Sequence, residues 1–350
     1  MSEDTGIHRV SGTNEGTRVV SLSSLDPNAK PLDAHAAFIA AYDRLSGLAS
    51  IAPRPAVLVA AVDSRASVVE AVIVEAGHSL IIGRHSECGL RLMADTVALR
   101  QLVAHAEAQP SEAAPIIRLW DLNTGQPFLT EDGQPNAAVI AEGTLYVAVG
   151  VYALLFVPTQ GPAAAPWSTH PEEAWKALPQ REFIDRRTPD ATRLGPSQRR
   201  RSDGQRYETD ISRVLEARDR TSISRVEPLL SLGEDVAPKN AWGVLVLATD
   251  MMAAKHHLSW EHLDRGVLLG RYDRCGIRLA DSDGISRVHL LLILSGEEVL
   301  AIDTASSNGT WRGPKKIETD TLRDPDLLRL GETVRMQWRR LLGSGAGGAS

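Results

Sequence analysis

Between Ala56 and Val157 the chain runs in short apolar bursts, and the same rhythm returns after Trp242. In the first stretch these are Val57–Val62, Val68–Val74, Leu80–Ile82, Ile116–Trp120, Val139–Ile140 and Leu145–Val157. In the second they are Val244–Ala248, Val267–Leu269, Leu290–Leu294, Val299–Ile302 and Thr333–Trp338. The runs are rich in Val, Ile and Leu and bounded by Gly, Asp, Asn or Pro, which predicts strands of a β-sandwich or barrel. Only Asp95–Gln109 fits a helix and a strand equally well.

The segments outside these runs differ in kind. Asp33 is placed to cap a helix carrying Phe38, Ile39, Tyr42 and Leu45 on one face, with Gly47 and Pro53 as its stop signals. Residues 1–30 are polar and poor in aromatics, and a disordered tail is expected there. From 161 to 237 Ala, Pro and Arg dominate, with basic residues crowded between Arg186 and Arg206 and too few apolar ones for a core. A mostly disordered linker is expected, with local helices at Pro171–Leu178 and around Asp210–Arg218. Residues 343–350 are Gly, Ala and Ser, a flexible tail. The expectation is therefore an all-β protein with two sandwiches, at 31–160 and 238–342, and a short N-terminal helix.

Composition narrows the function classes. At 350 residues the chain has room for two cores, and a net charge of −6 argues against a protein whose general surface binds nucleic acid. No apolar run approaches the roughly 20 residues of a membrane span; the longest, Leu145–Val157, is interrupted by Gly150. A soluble cytoplasmic protein is expected. Cys88 and Cys275 alone allow neither a disulfide framework nor a four-cysteine metal site. Few lysines among the basic residues and abundant alanine point to a GC-rich bacterial genome.

The two halves carry one repeat. Gly83–Leu92 reads against Gly270–Leu279 with Gly, Arg, Cys, Gly, Arg and Leu in register, so both halves are expected to share a fold. Each cysteine then fills one core. In the second half three polar clusters fall at strand ends: Gly270-Arg271, Ser286-Arg287-Val288-His289 and Ser306-Ser307-Asn308-Gly309-Thr310. A guanidinium, hydroxyls, an amide and a turn rich in N–H groups, without a carboxylate, suit an anionic ligand.

In this order, with Leu330-Gly331 after them, the clusters resemble the forkhead-associated (FHA) domain over roughly residues 240–342. The resemblance implies a sandwich of two twisted sheets whose loops at one end bind phosphothreonine peptides. On that basis Arg271 would grip the phosphate, Ser286 would give a hydroxyl, and Arg287 or Ser307 would add contacts. Asn308 would hold the peptide backbone, and His289 would brace the loops from inside, with Gly270, Gly309 and Thr310 as structural support. A phosphothreonine brings nearly two negative charges and three acceptor oxygens, which is what such donors match.

The first half departs from the pattern. Counting from Gly83 sets Leu99 against Ser286, Arg100 against Arg287 and Leu102 against His289, and Asp121–Gly125 scrambles the third cluster. A degenerate copy, kept for packing or partner binding, is expected at residues 56–158. In the linker Thr188, Thr192, Thr209 and Thr221 are candidate phosphorylation sites that could dock on the chain's own second domain.

No phosphate-cradling loop, nucleophile elbow or kinase catalytic loop is present, so no enzyme and no cofactor are expected. His256, His257 and His262 read as surface histidines in a loop rather than metal ligands. The function expected is a non-enzymatic phosphothreonine-binding adaptor, partnered by a threonine-phosphorylated protein and served by an upstream Ser/Thr kinase. Two alternatives stand beside it. One is a phosphate-independent structural component of a larger assembly such as a secretion machine. The other is a DNA-binding regulator acting through the basic linker, against which nearby acids and the lack of interleaved aromatics both count.

Overall fold

The computed structural model describes residues 6–9, 26, 28–52, 54–110, 113–122, 125–160, 167–186, 220–226, 232, 241–249, 253–280 and 282–341. The first half contains β1 (Ile7–Arg9), α1 (Ala34–Ile51), β2 (Ala56–Val62), β3 (Val68–Glu75), β4 (Ser79–Gly83), β5 (Leu90–Arg91) and β6 (Leu102–Glu107). It continues with β7 (Ile116–Asp121), β8 (Phe128–Thr130), β9 (Pro135–Asn136), β10 (Ala138–Glu142), β11 (Leu145–Val149) and β12 (Tyr152–Thr159). Next come α2 (Pro171–Ala177), β13 (Gln180–Asp185) and β14 (Arg220–Val226). The second half holds β15 (Gly243–Ala248), β16 (Ala253–Leu258), α3 (Trp260–Arg265), β17 (Val267–Gly270), β18 (Ile277–Arg278), β19 (Leu290–Ser295) and β20 (Glu298–Asp303). It closes with β21 (Thr310–Arg312), β22 (Lys315–Ile317), β23 (Thr319–Thr321), β24 (Asp326–Leu330) and β25 (Val334–Arg340).

Four sheets result. Sheet I runs β1-β3-β2-β12-β11-β8-β9 and sheet II β13-β14-β10-β7-β6-β4-β5. Sheet III runs β18-β17-β19-β20-β23 and sheet IV β16-β15-β25-β24-β21-β22. Remove β1, β13 and β14, and the first pair has the strand order of the second pair, β4 standing for β17 and β2 for β15 throughout. The two halves therefore share one topology, as the repeat predicts.

The continuous apolar runs have a physical cause, because a strand covered on both faces cannot alternate with polar residues. In β2, Val57, Val59 and Ala61 enter the core between sheets I and II, while Leu58, Ala60 and Val62 face α1. In β19, Leu290, Leu292 and Leu294 enter the core between sheets III and IV. Its other residues, Leu291 and Ile293, meet Ile81, Val103 and Trp120 of sheet II. Sheets II and III thus pack face to face, and the molecule is a stack of four sheets in the order I, II, III, IV with α1 outside sheet I.

Polar groups lock this seam. The buried Arg118 guanidinium of β7 donates to the carbonyls of Leu294 and Asp264 in the second half, and Trp120 Nε1 donates to Arg265 O at 3.1 Å. Arg118 also lies over the Trp120 ring, 5.0 Å from its centroid. A buried guanidinium needs such acceptors, and here the other sandwich supplies them.

Several expectations need correction. Asp33 does cap α1, its Oδ1 accepting from the Ala36 N–H at 2.8 Å, but the helix passes through Gly47 to Ile51. A glycine with open space around it costs a helix too little to end it when one face is buried. Leu145–Val157 is a hairpin of β11 and β12, turned at Gly150 with φ 56. Asp95–Gln109 contains a strand, β6, rather than a helix.

The supposed tail supplies β1 at the edge of β3, and the supposed linker, besides the expected helix at Pro171–Ala177, supplies the strands β13 and β14. β14 pairs with β10 and buries Ile223 in the first core; its single apolar residues between polar ones hid the strand. Thr221 lies in this strand at 1% exposure, which removes it as an accessible phosphorylation site. The arginine cluster beyond Arg186, the helix expected at Asp210–Arg218, Thr188, Thr192, Thr209 and residues 343–350 lie outside the described residues. Among the described residues no helix is long and apolar enough to cross a membrane.

Candidate phosphate-binding mouth

Three chain segments far apart in sequence meet at one end of the second sandwich. β17 ends at Gly270, and the next residue's backbone N–H, that of Arg271, donates to Ser286 O at 3.1 Å. A Cβ on Gly270 would fall on the Arg287 carbonyl, so only glycine lets the first segment lie against the second. The third segment closes the ring: Ser307 N–H donates to Ser286 Oγ at 3.0 Å, and Asn308 Nδ2 donates to Gly284 O at 2.9 Å.

A buried histidine holds the second segment in shape. His289 is fully buried, and its Nδ1 accepts from the Ser286 N–H at 3.2 Å while its Nε2 faces Gly309 O at 3.2 Å. Nδ1 must then be unprotonated and Nε2 must carry the hydrogen, a neutral imidazole. Burial pushes its pKa below the ordinary histidine value, outweighing the opposing pull of Asp303.

Asp303 braces the third segment, a role the sequence reading missed. Its Oδ1 accepts from Ser306 N–H at 2.7 Å, and its Oδ2 accepts from Ser306 Oγ and Thr310 Oγ1, each at 2.7 Å. An aspartate followed three residues later by serine was the available signal, since Asp side chains commonly bond backbone a few residues on. Ala305 at φ 57 and Gly309 at φ 72 complete the turn.

These contacts leave particular groups with unused bonding capacity. Ser286 Oγ receives the Ser307 amide, so its own proton is available to an acceptor. The Asn308 amide is held through nitrogen, leaving Oδ1 as an acceptor. Arg271, Arg287, Ser307 and Asn308 are exposed, and among the described residues neither arginine has a side-chain partner. Gly270, His289, Gly309 and Thr310 occupy the supporting positions, all buried. His256 and His257 are consecutive residues of β16 rather than loop residues, so they face opposite sides of the sheet. His262 completes the capping box of α3, with Ser259 N–H donating to its Nδ1 at 3.4 Å.

The same end of the first sandwich is one residue out of the alignment counted from Gly83. Arg84 and His85 N–H donate to Ala98 and Leu99 O, where Arg271 and Tyr272 donate to Ser286 and Arg287 O. Cys88 Sγ donates to Leu99 O at 3.4 Å as Cys275 Sγ does to Arg287 O at 3.3 Å. Ala98 therefore stands opposite Ser286, Leu99 opposite Arg287 and Gln101 opposite His289. The loop before β6 is one residue shorter, which counting could not reveal. Ala98 has no hydroxyl, Leu99 is exposed, and Arg84 Nη1 is occupied by Asp95 Oδ1 at 2.9 Å.

Residues 267–331 match the family model of the FHA domain, and the second sandwich is an FHA domain. Among solved structures, the chain is similar to one described as a structural and functional analysis of phosphothreonine-dependent FHA domain interactions. Identity there is 28%, over 29% of this chain and 97% of that one, with a TM-score of 0.25. It is similar to the FhaA FHA domain complexed with the intracellular domain of Rv3910, at 28% identity over 28% and 99% of the two chains, TM-score 0.25. The FHA domain of the CT664 protein from Chlamydia trachomatis matches at 24% identity over 29% and 98%, TM-score 0.26. No curated protein matches the chain.

Proposed function

We propose that the second sandwich binds phosphothreonine peptides through Arg271, Ser286, Arg287, Ser307 and Asn308, and that the chain is a non-enzymatic bacterial, cytoplasmic adaptor. One observation carries the reading: the Ser286 hydroxyl accepts from the Ser307 amide and keeps its own proton to donate, while Arg271, whose backbone N–H is bonded to the Ser286 carbonyl, is exposed with no described side chain to neutralise it. A phosphate set there meets a guanidinium able to engage two oxygens and a directed hydroxyl. Asn308 Oδ1 is placed to accept from the backbone of the peptide that carries it. The partner is a threonine-phosphorylated protein, made so by a Ser/Thr kinase.

Charge-assisted bonds contribute about 1.5–3 kcal/mol each, so two or three with backbone contacts correspond to roughly micromolar affinity. The first sandwich, with Ala98 and an occupied Arg84, serves as scaffold in this reading.

The test is titration of full-length protein with phosphothreonine, phosphoserine and unphosphorylated versions of one peptide library, with Arg271→Ala and Ser286→Ala alongside. Phosphothreonine-dependent binding that falls about 10- to 150-fold in Arg271→Ala is the expected result. Wild-type affinity indifferent to the phosphate, or partner association unaltered in both variants, would instead favour the phosphate-independent assembly component.

A further inference from the structure

Among the described residues one face of sheet IV packs in a core and the outer face does not, and the outward strand positions carry no carboxylate. Cross-strand register sets Lys316 beside Trp311, Trp311 beside Arg329, and Arg329 beside Arg335 in one lateral row. Lys255 and Arg339 face the same way on β16 and β25. Among the described residues none of these cations is ion-paired, although the chain as a whole carries a net −6. A cationic face in an acidic protein, left without counter-charges among the described residues, is chemically suited to an anionic partner.

The row begins at the phosphate-binding mouth. Trp311 Nε1 donates to Asn308 O at 2.8 Å, and a Cβ on Gly309 would meet Lys316 Cε at 2.8 Å. Arg329 lies over the Trp311 ring, 5.2 Å from its centroid, and so carries the charge onward across the sheet. From Lys316 to Arg335 the row crosses three inter-strand steps of about 4.8 Å each, the reach of roughly four extended residues. A peptide fixed by its phosphothreonine beside Asn308 can lay its flank along this row without leaving the surface.

Resting on the phosphothreonine reading of the mouth, we infer that the ligand is a phosphothreonine with an acidic flank. The Lys316–Trp311–Arg329–Arg335 row would read aspartates or glutamates within about four residues of the phosphate. Continuity with the mouth favours a polypeptide over nucleic acid, since charge complementarity alone would serve either. Exposed pairs are individually weak and screened by salt, so the row acts as a group and at low ionic strength.

The experiment uses full-length protein at low salt and measures Kd for phosphothreonine peptides whose flanks, on either side, are acidic, neutral or basic. The expected order is acidic over neutral by about ten-fold and neutral over basic. In Lys316→Glu/Arg335→Glu, whose substitutions are on the surface, the ratio of neutral- to acidic-flank Kd should fall to one or below, whatever uniform weakening the charge reversal at Lys316 beside the mouth causes for both peptides. Equal binding of acidic and neutral flanks by wild type, or an advantage that survives charge reversal, overturns the inference while leaving the mouth intact. If acidic peptides bind without need of phosphate but still require Lys316 and Arg335, the phosphothreonine reading fails and the acidic-segment assignment to this face stands. Duplex DNA that binds at the same salt, loses binding in the double variant and displaces no peptide makes nucleic acid the occupant and overturns it.

Discussion

Gln101 does in the first sandwich what His289 does in the second. Its Oε1 accepts from the Ala98 N–H at 2.9 Å and its Nε2 donates to Gln126 O at 2.8 Å, the two bonds that His289 makes to Ser286 and Gly309. The brace is present although Ala98, opposite Ser286, has no hydroxyl. The position accordingly requires one acceptor and one donor at fixed separation, not a titratable ring. His289→Gln should fold with near-wild-type stability and keep phosphopeptide affinity. His289→Ala, which strands the buried Ser286 N–H, should cost about 1–3 kcal/mol in urea denaturation and weaken the peptide as the loop relaxes.

The seam between sheets II and III makes a second prediction. The two terminal nitrogens of Arg118 donate to the carbonyls of Leu294 and Asp264, so neither sandwich presents a finished surface without the other. Full-length protein should unfold in one transition by calorimetry and by both tryptophan and far-UV signals. Arg118→Ala should lower that stability by about 2–4 kcal/mol or split the transition in two. A wild-type protein already melting in two independent steps would contradict the packing described.

Acid should begin to weaken the first sandwich from about pH 6.5 downward, above the ordinary carboxylate range. His105 is wholly buried on β6, with Ser79 Oγ 3.0 Å from its Nδ1 and Arg118 as its cross-strand neighbour. Burial first, and then the charges of Arg118 and His78, lower its pKa from 6.5 to about 3. The unfolded chain binds this proton below pH 6.5 and the folded chain refuses it until about pH 3. Stability therefore falls as pH drops through that window, by on the order of 4 kcal/mol at its foot. His105→Gln should flatten the slope between pH 6 and 4 in denaturation measured across that range.

Two glycine substitutions should move in opposite directions. Gly270→Ala drives a Cβ into the Arg287 carbonyl and should cost about 1–3 kcal/mol and disturb phosphopeptide binding, because the backbone there cannot yield without moving Ser286. Gly47→Ala, within α1 and with nothing near its Cβ, should instead stabilise by about 0.5–1 kcal/mol. Thermal melts of the two variants check both signs.

The sandwiches were legible because Val, Ile and Leu runs punctuated by Gly and Pro have few other readings, and the clusters at 270, 286 and 306 fall where strands end. What escaped had a physical reason. β14 offers one core residue, Ile223, between polar neighbours, and its strand exists only because β10 has an open edge to pair with. The offset of Ala98 against Ser286 follows from a loop one residue shorter, and backbone contacts reveal it where counting cannot. The face-to-face seam was implied by β19, whose unbroken Leu290–Leu294 requires cover on both sides. A run of that kind could have been recognised as demanding a second layer.

Arg118 closing on the carbonyls of the other sandwich means that the chain carries its own dimer. Two separate copies of this fold would have to find such a face by collision, at whatever concentration the cell maintained. Here one covalent strand joins them, so the encounter is intramolecular and its yield is indifferent to expression level. Dilution, which dismantles ordinary two-chain complexes, leaves the pair together, and a protein built this way keeps its geometry at a few molecules per cell.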